Sequence, residues 1–397
     1  MGRIDKLLRH FCPDGVEYKK LGEIGSFTRG SGIQKKDFVE GGRPCIHYGQ
    51  VYTCYGLSAT KTRSFISKEL YAGRKKAEPG DLVIATTSEN EEDVCKCVAW
   101  LGDEPCAVSG DAYIFSHEQD SKYVAYLFCS DQFQKQKKRY ITGTKVLRVS
   151  GENMAKIELP FPPLDIQREV VRVLDSFAEL ETELETELEA RKAQYAHYRD
   201  LLLSRESLEE MAGGEVSIAV LGDIAKINTG QKPSSITVDN GRNFPYVNAG
   251  TTYSGFTDEY NTEGDTVTTP SRGQGGIGYV GYQAGKFWCG PLCYRIRSSN
   301  NRIMNRYLFY TLQGKSKEIV ALMNEGGTPA VNAKDLKRLK VEVPPLEVQR
   351  RVVDILDRFD ALTTSLADGL PAEIAARRQQ YEYYRDKLLD FPRKEVA

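Results

Sequence analysis

The sequence predicts an α+β fold: two mixed α/β domains joined by two long helices that pack antiparallel as a coiled coil, in a pseudo-two-fold arrangement. Three observations predict it. Residues 162–177, PPLDIQREVVRVLDSF, return as residues 344–359, PPLEVQRRVVDILDRF, with ten identities. A second echo follows each copy, ARKAQYAHYRDLLL from Ala190 and ARRQQYEYYRDKLL from Ala376, so a whole helical segment is repeated. Upstream, KLGEIGSFTRG from Lys20 parallels VLGDIAKINTG from Val220, PCIHYG from Pro44 parallels PYVNAG from Pro245, and PGDLVI from Pro79 parallels EGDTVT from Glu263. At 397 residues the chain is too long for one ordinary core. The repeat divides it into a domain at 1–160, a helical spacer at 161–204, a domain at 205–343 and a spacer at 344–397. The helices agree nearly throughout and the domains hardly at all, so the two domains have different tasks.

The first domain reads as short β-branched or aromatic runs, residues 81–86 and 111–115, separated by Gly-rich loops, with a helix near residues 123–139. Its loops carry Lys35 and Lys36 in SGIQKKDF, Tyr48, Gln50 and Tyr52 in HYGQVYTCYG, and Thr144, Lys145 and Arg148 in ITGTKVLRVS. From Gln132 to Gly151 there is no acid, whereas Lys135, Lys137, Lys138, Arg139, Lys145 and Arg148 are all present. Such local, uncompensated charge attracts a polyanion.

The first spacer helix starts after a Pro-Pro pair, with Asp165 adding a favourable charge near its N-terminus. Val170, Leu174, Phe177, Leu184, Leu188, Tyr195, Tyr198 and Leu202 then fall near a three-and-four spacing, which is a coiled-coil seam. At roughly 1.5 Å per residue the rod is about 57 Å long. Between Asp175 and Glu189 stand seven acids and no base, so this helix repels nucleic acid and faces protein or water. Within it, residues 179–190 read ELET-ELET-ELEA. Adding one four-residue unit lengthens a helix by about 6 Å and turns it about 40° past a full turn, which keeps the apolar face. The unit suits a length-adjusting element; a solvated glutamate-rich face is the plainer alternative.

The second domain has a strand run at residues 292–296 and a helix near residues 305–323. Asn248, Thr251, Thr252 and Tyr253 lie in VNAGTTYSG, Ser271, Arg272 and Gln274 in TPSRGQGG, and Thr328 in NEGGTPAVN. Arg, Lys, Asn and Gln pair with base edges in a major groove, whereas Ser, Thr and the amides of Gly-rich turns suit phosphates. In the second spacer, ADGLP at residues 367–371 should break or kink the helix. That spacer also carries four more residues than the first between its aspartate and its Ala-Arg pair. Phe359, Tyr381 and Tyr384 match Phe177, Tyr195 and Tyr198. These six, with Leu184 and Leu188, are the candidates for docking a partner. The two helices are expected to pack on each other, the alternative being that each folds back on its own domain.

Lys plus Arg number 54 and Asp plus Glu 55, so near-neutrality conceals the segregation just described. Nine cysteines without a repeated framework are expected to be free thiols, and with four histidines they give no metal-site spacing. No apolar run approaches the roughly 20 residues of a membrane span, and the start MGRIDKLLRHFCPDG has no signal-peptide core, so a cytoplasmic location is expected.

Taken together, the two PPLxxQRxVVxxLDxF segments, the two AR(K/R)xQYxxYRDxLL tails, the opening CPDGVEYKKLGEI at Cys12 and the tandem ELET units resemble the specificity subunits of type I restriction–modification enzymes. The resemblance covers essentially the whole chain. It implies a non-catalytic protein with two variable target-recognition domains and two conserved helical regions. Each domain would read one half of a bipartite, asymmetric site in double-stranded DNA. The helices would hold the domains apart and dock two methyltransferase subunits, with restriction/translocase subunits joining them; S-adenosylmethionine, ATP and Mg would belong to those partners and none to this chain. In that family tandem tetrapeptides are associated with the length of the unread DNA spacer. Here they occur in the first helix alone, and no base-contact motif can be carried over.

Two fragments invite an enzymatic reading. NFPY at residues 243–246 is similar to an adenine-methyltransferase turn but lacks its first proline, and Gly276, Gly278 and Gly281 form GxGxxG without a helix-forming sequence after it. Asp14, Glu17 and Lys19 are too crowded for a nuclease triad. No catalytic residue is expected.

Overall fold

The computed structural model describes residues 2–239, 241, 243–273, 275–324, 328–364 and 369–394. It divides into two compact units, Met1–Glu183 with Ile374–Ala397, and Leu184–Glu373. In the first unit β1 (Gly25–Arg29), β2 (Ser58–Ala59), β3 (Leu82–Ala85), β4 (Lys96–Trp100) and β5 (Ala112–His117) form a sheet in the order β1-β5-β3-β4-β2. Only β2 and β4 pair in parallel. β3 reads Leu-Val-Ile-Ala with no polar interruption because both its faces are covered. Leu82 and Ile84 join the core that includes helix α1 (Ser121–Cys129), while alternate residues Val83 and Ala85 pack with Val51, Val98 and Trp100 on the other side. α1 begins at Asp120, whose carboxylate accepts a bond from the Tyr123 N–H at 3.0 Å.

α2 (Leu164–Leu202) is the long helix of the first spacer; its first part belongs to the first unit and its remainder to the second. Its repeated residues turn out to be the ones that hold the domain to the helix. Gln167 is fully buried; its carbonyl accepts from the Asp120 N–H at 3.0 Å, and its amide donates to Pro162 O and to Gln119 Oε1 at 2.7 Å each. One turn further on, Val170 and Leu174 are buried, and Asp175 accepts from Lys122 Nζ at 2.7 Å and from the Tyr126 hydroxyl at 2.8 Å.

The second unit repeats the core of this arrangement, without a counterpart of β2 among its described strands. β6 (Ala225–Thr229), β7 (Thr266–Pro270), β8 (Gly281–Gln283) and β9 (Cys293–Ser298) lie in the order β6-β9-β7-β8, which is the order β1-β5-β3-β4 again. The smaller sheets agree too. Arg43–Ile46 runs parallel to Cys106–Val108 and antiparallel to Ser64–Ile66, as Phe244–Val247 does to Trp288–Cys289 and Phe256–Thr257. α3 (Asn305–Gly314) replaces α1 and packs on α4 (Leu346–Thr364). The fully buried Gln349 accepts from the Met304 N–H at 2.9 Å and donates to Arg302 O and Pro344 O at 2.8 Å, and Asp357 takes Arg306 at 2.7 Å and the Tyr310 hydroxyl.

α5 (Leu370–Leu389) completes the second spacer, with Pro371 in its first turn, where a missing N–H costs nothing. Ala367 and Asp368 of the expected interruption lie outside the described residues. In the first unit α5 and α2 run antiparallel. Phe177 stacks on Tyr384 with centroids 5.5 Å apart, and Glu181, one turn later, meets Arg378, more than one turn earlier, at 2.7 Å. In the second unit the exchanged pair, Tyr198 on Phe359, stacks at 5.8 Å. The helices therefore do not fold back whole on their own domains. α5 leads into the first unit's core through Leu389 and Phe391, and its tail closes on the start of the chain, with Val16 N donating to Pro392 O at 2.8 Å and Lys394 N to Val16 O at 3.0 Å.

Candidate nucleic-acid interface

Loops far apart in sequence meet at one end of the main sheet in each unit. In the first, β1 and β3 end there and β5 begins. Ser31 N bonds Val108 O at 2.9 Å, Tyr48 N bonds Ser109 Oγ at 2.7 Å, Thr86 N bonds Asp111 O at 3.2 Å and Val149 N bonds Thr86 O at 3.3 Å. These bonds gather the segments that carry Lys35 and Lys36, Tyr48 and Gln50, and Thr144 to Arg148. Gly30 sits where the chain runs flush against its neighbour: a Cβ there would lie 2.2 Å from Ser109 O, and at the matching Gly230 it would lie 1.8 Å from Cys289 O. In the second unit Gln231 N bonds Cys289 O at 3.0 Å, Leu292 N bonds Asn248 Oδ1 at 3.0 Å, Ser271 N bonds Leu292 O at 2.9 Å and Gly273 N bonds Pro329 O at 3.1 Å. The segments with Asn248 to Tyr253, Ser271 and Arg272, and Thr328 are brought together in the same way.

At the level of side chains the candidates separate into two groups. Lys35, Lys36, Thr144, Lys145, Arg148, Thr251, Thr252, Arg272 and Thr328 are exposed. Others are engaged inside the domain. The Gln50 amide donates to Ser64 Oγ at 2.7 Å while its oxygen accepts from the His47 N–H at 3.1 Å, closing the first turn of a short helix. Asn248 caps Leu292, Ser271 is buried, and the half-buried Tyr48 ring lies 4.6 Å from that of His47. Burial, assisted by the Lys35 charge, holds the His47 imidazole below its ordinary pKa. Gln274 lies outside the described residues.

The basic stretch at residues 132–151 is less uncompensated than its sequence suggests. Lys135 is paired with Asp131 at 2.5 Å, just outside the stretch. Lys137 is fully buried, and its ammonium donates to the carbonyls of Glu91, Glu92 and Val94 at 2.7, 3.2 and 2.9 Å. It pins a loop whose next residue, Cys95, has φ 70°, a conformation that costs a non-glycine residue about 1 kcal/mol or more. That loop, SENEED at residues 88–93, places exposed Glu89, Glu91 and Glu92 beside the reading end; the acid run was visible in the sequence, but its position was not.

Of the residues expected to dock a partner, Phe177 and Tyr384, and Tyr198 and Phe359, stack on each other. Tyr195 is buried with its hydroxyl donating to Gln313 at 2.7 Å, and Tyr381 packs on the first unit's core. Leu184 and Leu188 are half-buried. The repeated aromatics thus have partners within the chain.

The fragments that resembled enzyme motifs have other geometry. Residues 244–247 are a paired strand and not a turn, with the Asn243 amide bonded to Thr237. Gly276 and Gly278 precede a strand, so no helix N-terminus faces a phosphate there. Glu17 and Lys19 are paired with each other at 2.8 Å. Among the described residues no three potential metal ligands come together, and no helix is long and apolar enough to cross a membrane.

Two equivalent units, each presenting polar loops of its own from one end of a twisted sheet and each clamped to a long helix, have the build of a subunit that reads DNA sequence with two heads. The chain belongs to the family of the type I restriction modification DNA specificity domain, whose sequence profile matches residues 13–191 and again residues 215–376. It is 32% identical to a type I specificity subunit of Mycoplasma pneumoniae over 61% of this chain and 99% of that one. It is 33% identical to the specificity subunit of the type I restriction enzyme EcoR124I/EcoR124II of Escherichia coli, over 63% of this chain and 66% of that one. Among solved structures, the S subunit of a type I restriction-modification system of M. genitalium shares the fold, with a TM-score of 0.56 at 19% identity over 96% of this chain and 97% of that one.

Proposed function

We propose that this chain supplies sequence recognition to a multisubunit DNA-modifying enzyme and performs no catalysis itself. Each unit reads one half of a bipartite, asymmetric DNA site. α2, α4 and α5 fix the unread spacer and dock two methyltransferase subunits, which bring S-adenosylmethionine; restriction/translocase subunits, with ATP and Mg, join the same assembly in the cytoplasm, where its DNA lies. The observation that carries this reading is that one specificity-domain profile matches the chain twice, over two units that share one order of four main-sheet strands yet present different loops. Different loops on one scaffold read different half-sites. Two equivalent clamped helices offer two equivalent docking places.

The test is co-expression with the cognate methyltransferase subunit. A complex of two methyltransferases per chain that methylates adenine at a split site is expected, while the purified chain alone neither binds nor consumes S-adenosylmethionine. Methylation by the isolated chain, or failure to copurify with a methyltransferase, would count against the reading.

A further inference from the structure

The two reading ends share a charged feature that their sequences conceal. In the first unit Arg148 lies directly opposite Thr87 in a short antiparallel ladder. In the second, Arg272 lies opposite Ala330. These pairs occupy one structural position. Strand registers set Tyr113 opposite Arg29 and Ala112 opposite Ala85 in the first unit, and Tyr294 opposite Thr229 and Cys293 opposite Pro270 in the second, which makes Thr87 the counterpart of Arg272. The next rung agrees. Val149 N bonds Thr86 O as Val331 N bonds Ser271 O, which makes Arg148 the counterpart of Ala330. The arginine has changed strands between the units, with a small residue opposite it each time.

Directly opposed residues of a ladder project from the same face. Both guanidiniums therefore rise from equivalent points, although a linear alignment never pairs them. Both arginines are exposed, and neither has a hydrogen bond or ion pair with a described side chain, even with Glu89, Glu91 and Glu92 following the strand opposite Arg148. An arginine mounted on a paired strand reaches outward with its backbone already fixed, which lowers the ordering cost of a specific contact. Lys35 and Lys36 stand instead on a three-residue 3-10 helix and Lys145 on a bend, and they carry point charges suited to phosphates.

We propose that Arg148 and Arg272 are the equivalent base-reading residues of the two units, each pairing through its planar fork with the O6 and N7 of a guanine in the major groove, one guanine in each half-site. The proposal rests on the reading of the two units as half-site readers. The experiment uses the chain in complex with its methyltransferase, acting on a plasmid library with randomised inserts whose methylated adenines are mapped by sequencing. Arg148→Ala should relax the requirement at one G·C position of one half-site, and Arg272→Ala at one position of the other, each with about a 5- to 150-fold loss of discrimination. Arg→Lys variants keep the charge but not the fork and should lose discrimination as well. Unchanged thermal unfolding of the variants shows that the fold is intact. A uniform fall on all sequences, with the salt slope of binding reduced by about 1 per arginine, would mark phosphate contacts and overturn the proposal. Unchanged selectivity, or relaxation of the same half-site by both variants, would overturn it too. Failure of the wild-type complex to methylate any split site would instead sink the half-site reading itself.

Discussion

Two titratable side chains show how far a residue's type is from its role. His117 accepts from the Gln119 N–H at 3.1 Å through Nδ1, while its buried Nε2 has no hydrogen-bond partner among the described residues. Burial holds its pKa down at about 4, from an ordinary 6.5. Between those values the unfolded chain binds the proton that the folded chain refuses. The stabilisation is thus complete above pH 6.5 and is lost as pH falls toward 4, by up to about 3 kcal/mol. Hydrogen exchange of the β3 amides should show the first unit opening more easily at pH 4.5 than at pH 7, and His117→Asn should flatten that dependence. Lys137 sits in a basic run that, by sequence, belongs on DNA. Its ammonium faces three carbonyls, so Lys137→Met should cost the first unit about 1–3 kcal/mol of stability and leave the salt slope of DNA binding unchanged. Denaturant unfolding and a salt titration of the complex check the two halves of that statement. Sequence gives no signal for such burial, because a lysine reads as surface until its neighbours are known.

At the scale of elements, the repeated helix has a double task. Its first turns clamp a domain through Gln167 or Gln349 and through Asp175 or Asp357, and its aromatic positions stack on the other helix. Ten identities in sixteen residues therefore reflect two copies of one domain–helix contact. The ELET run follows the clamp and precedes Tyr195. Removing one unit takes about 6 Å from the helix with its apolar face nearly in register. Deleting residues 183–186 should shorten the spacer of the methylated site and leave both half-sites unchanged; methylome sequencing reads the outcome, and altered half-site bases would refute the ruler.

At the scale of the whole molecule, the last helix belongs to the first domain. Leu389 and Phe391 complete a core whose other members come from residues 16–174, and the tail pairs with Val16. Truncation at residue 373 should therefore raise hydrogen exchange and proteolysis within residues 1–183 more than within residues 184–364, though the cut lies some two hundred positions away along the chain. The sequence by itself determined that the chain is double, where its long helices start and that its two domains differ, because helical period and duplicated clamps are local patterns that survive divergence. Only the tertiary structure decided which halves belong together, that both domains share one strand order, and which polar loop residues stay free. It also showed that one arginine recurs at a single ladder position from opposite strands. Those facts depend on pairings between residues distant in the chain, and strand register, burial and hydrogen-bond satisfaction have no local signature once the residues that fill them have changed.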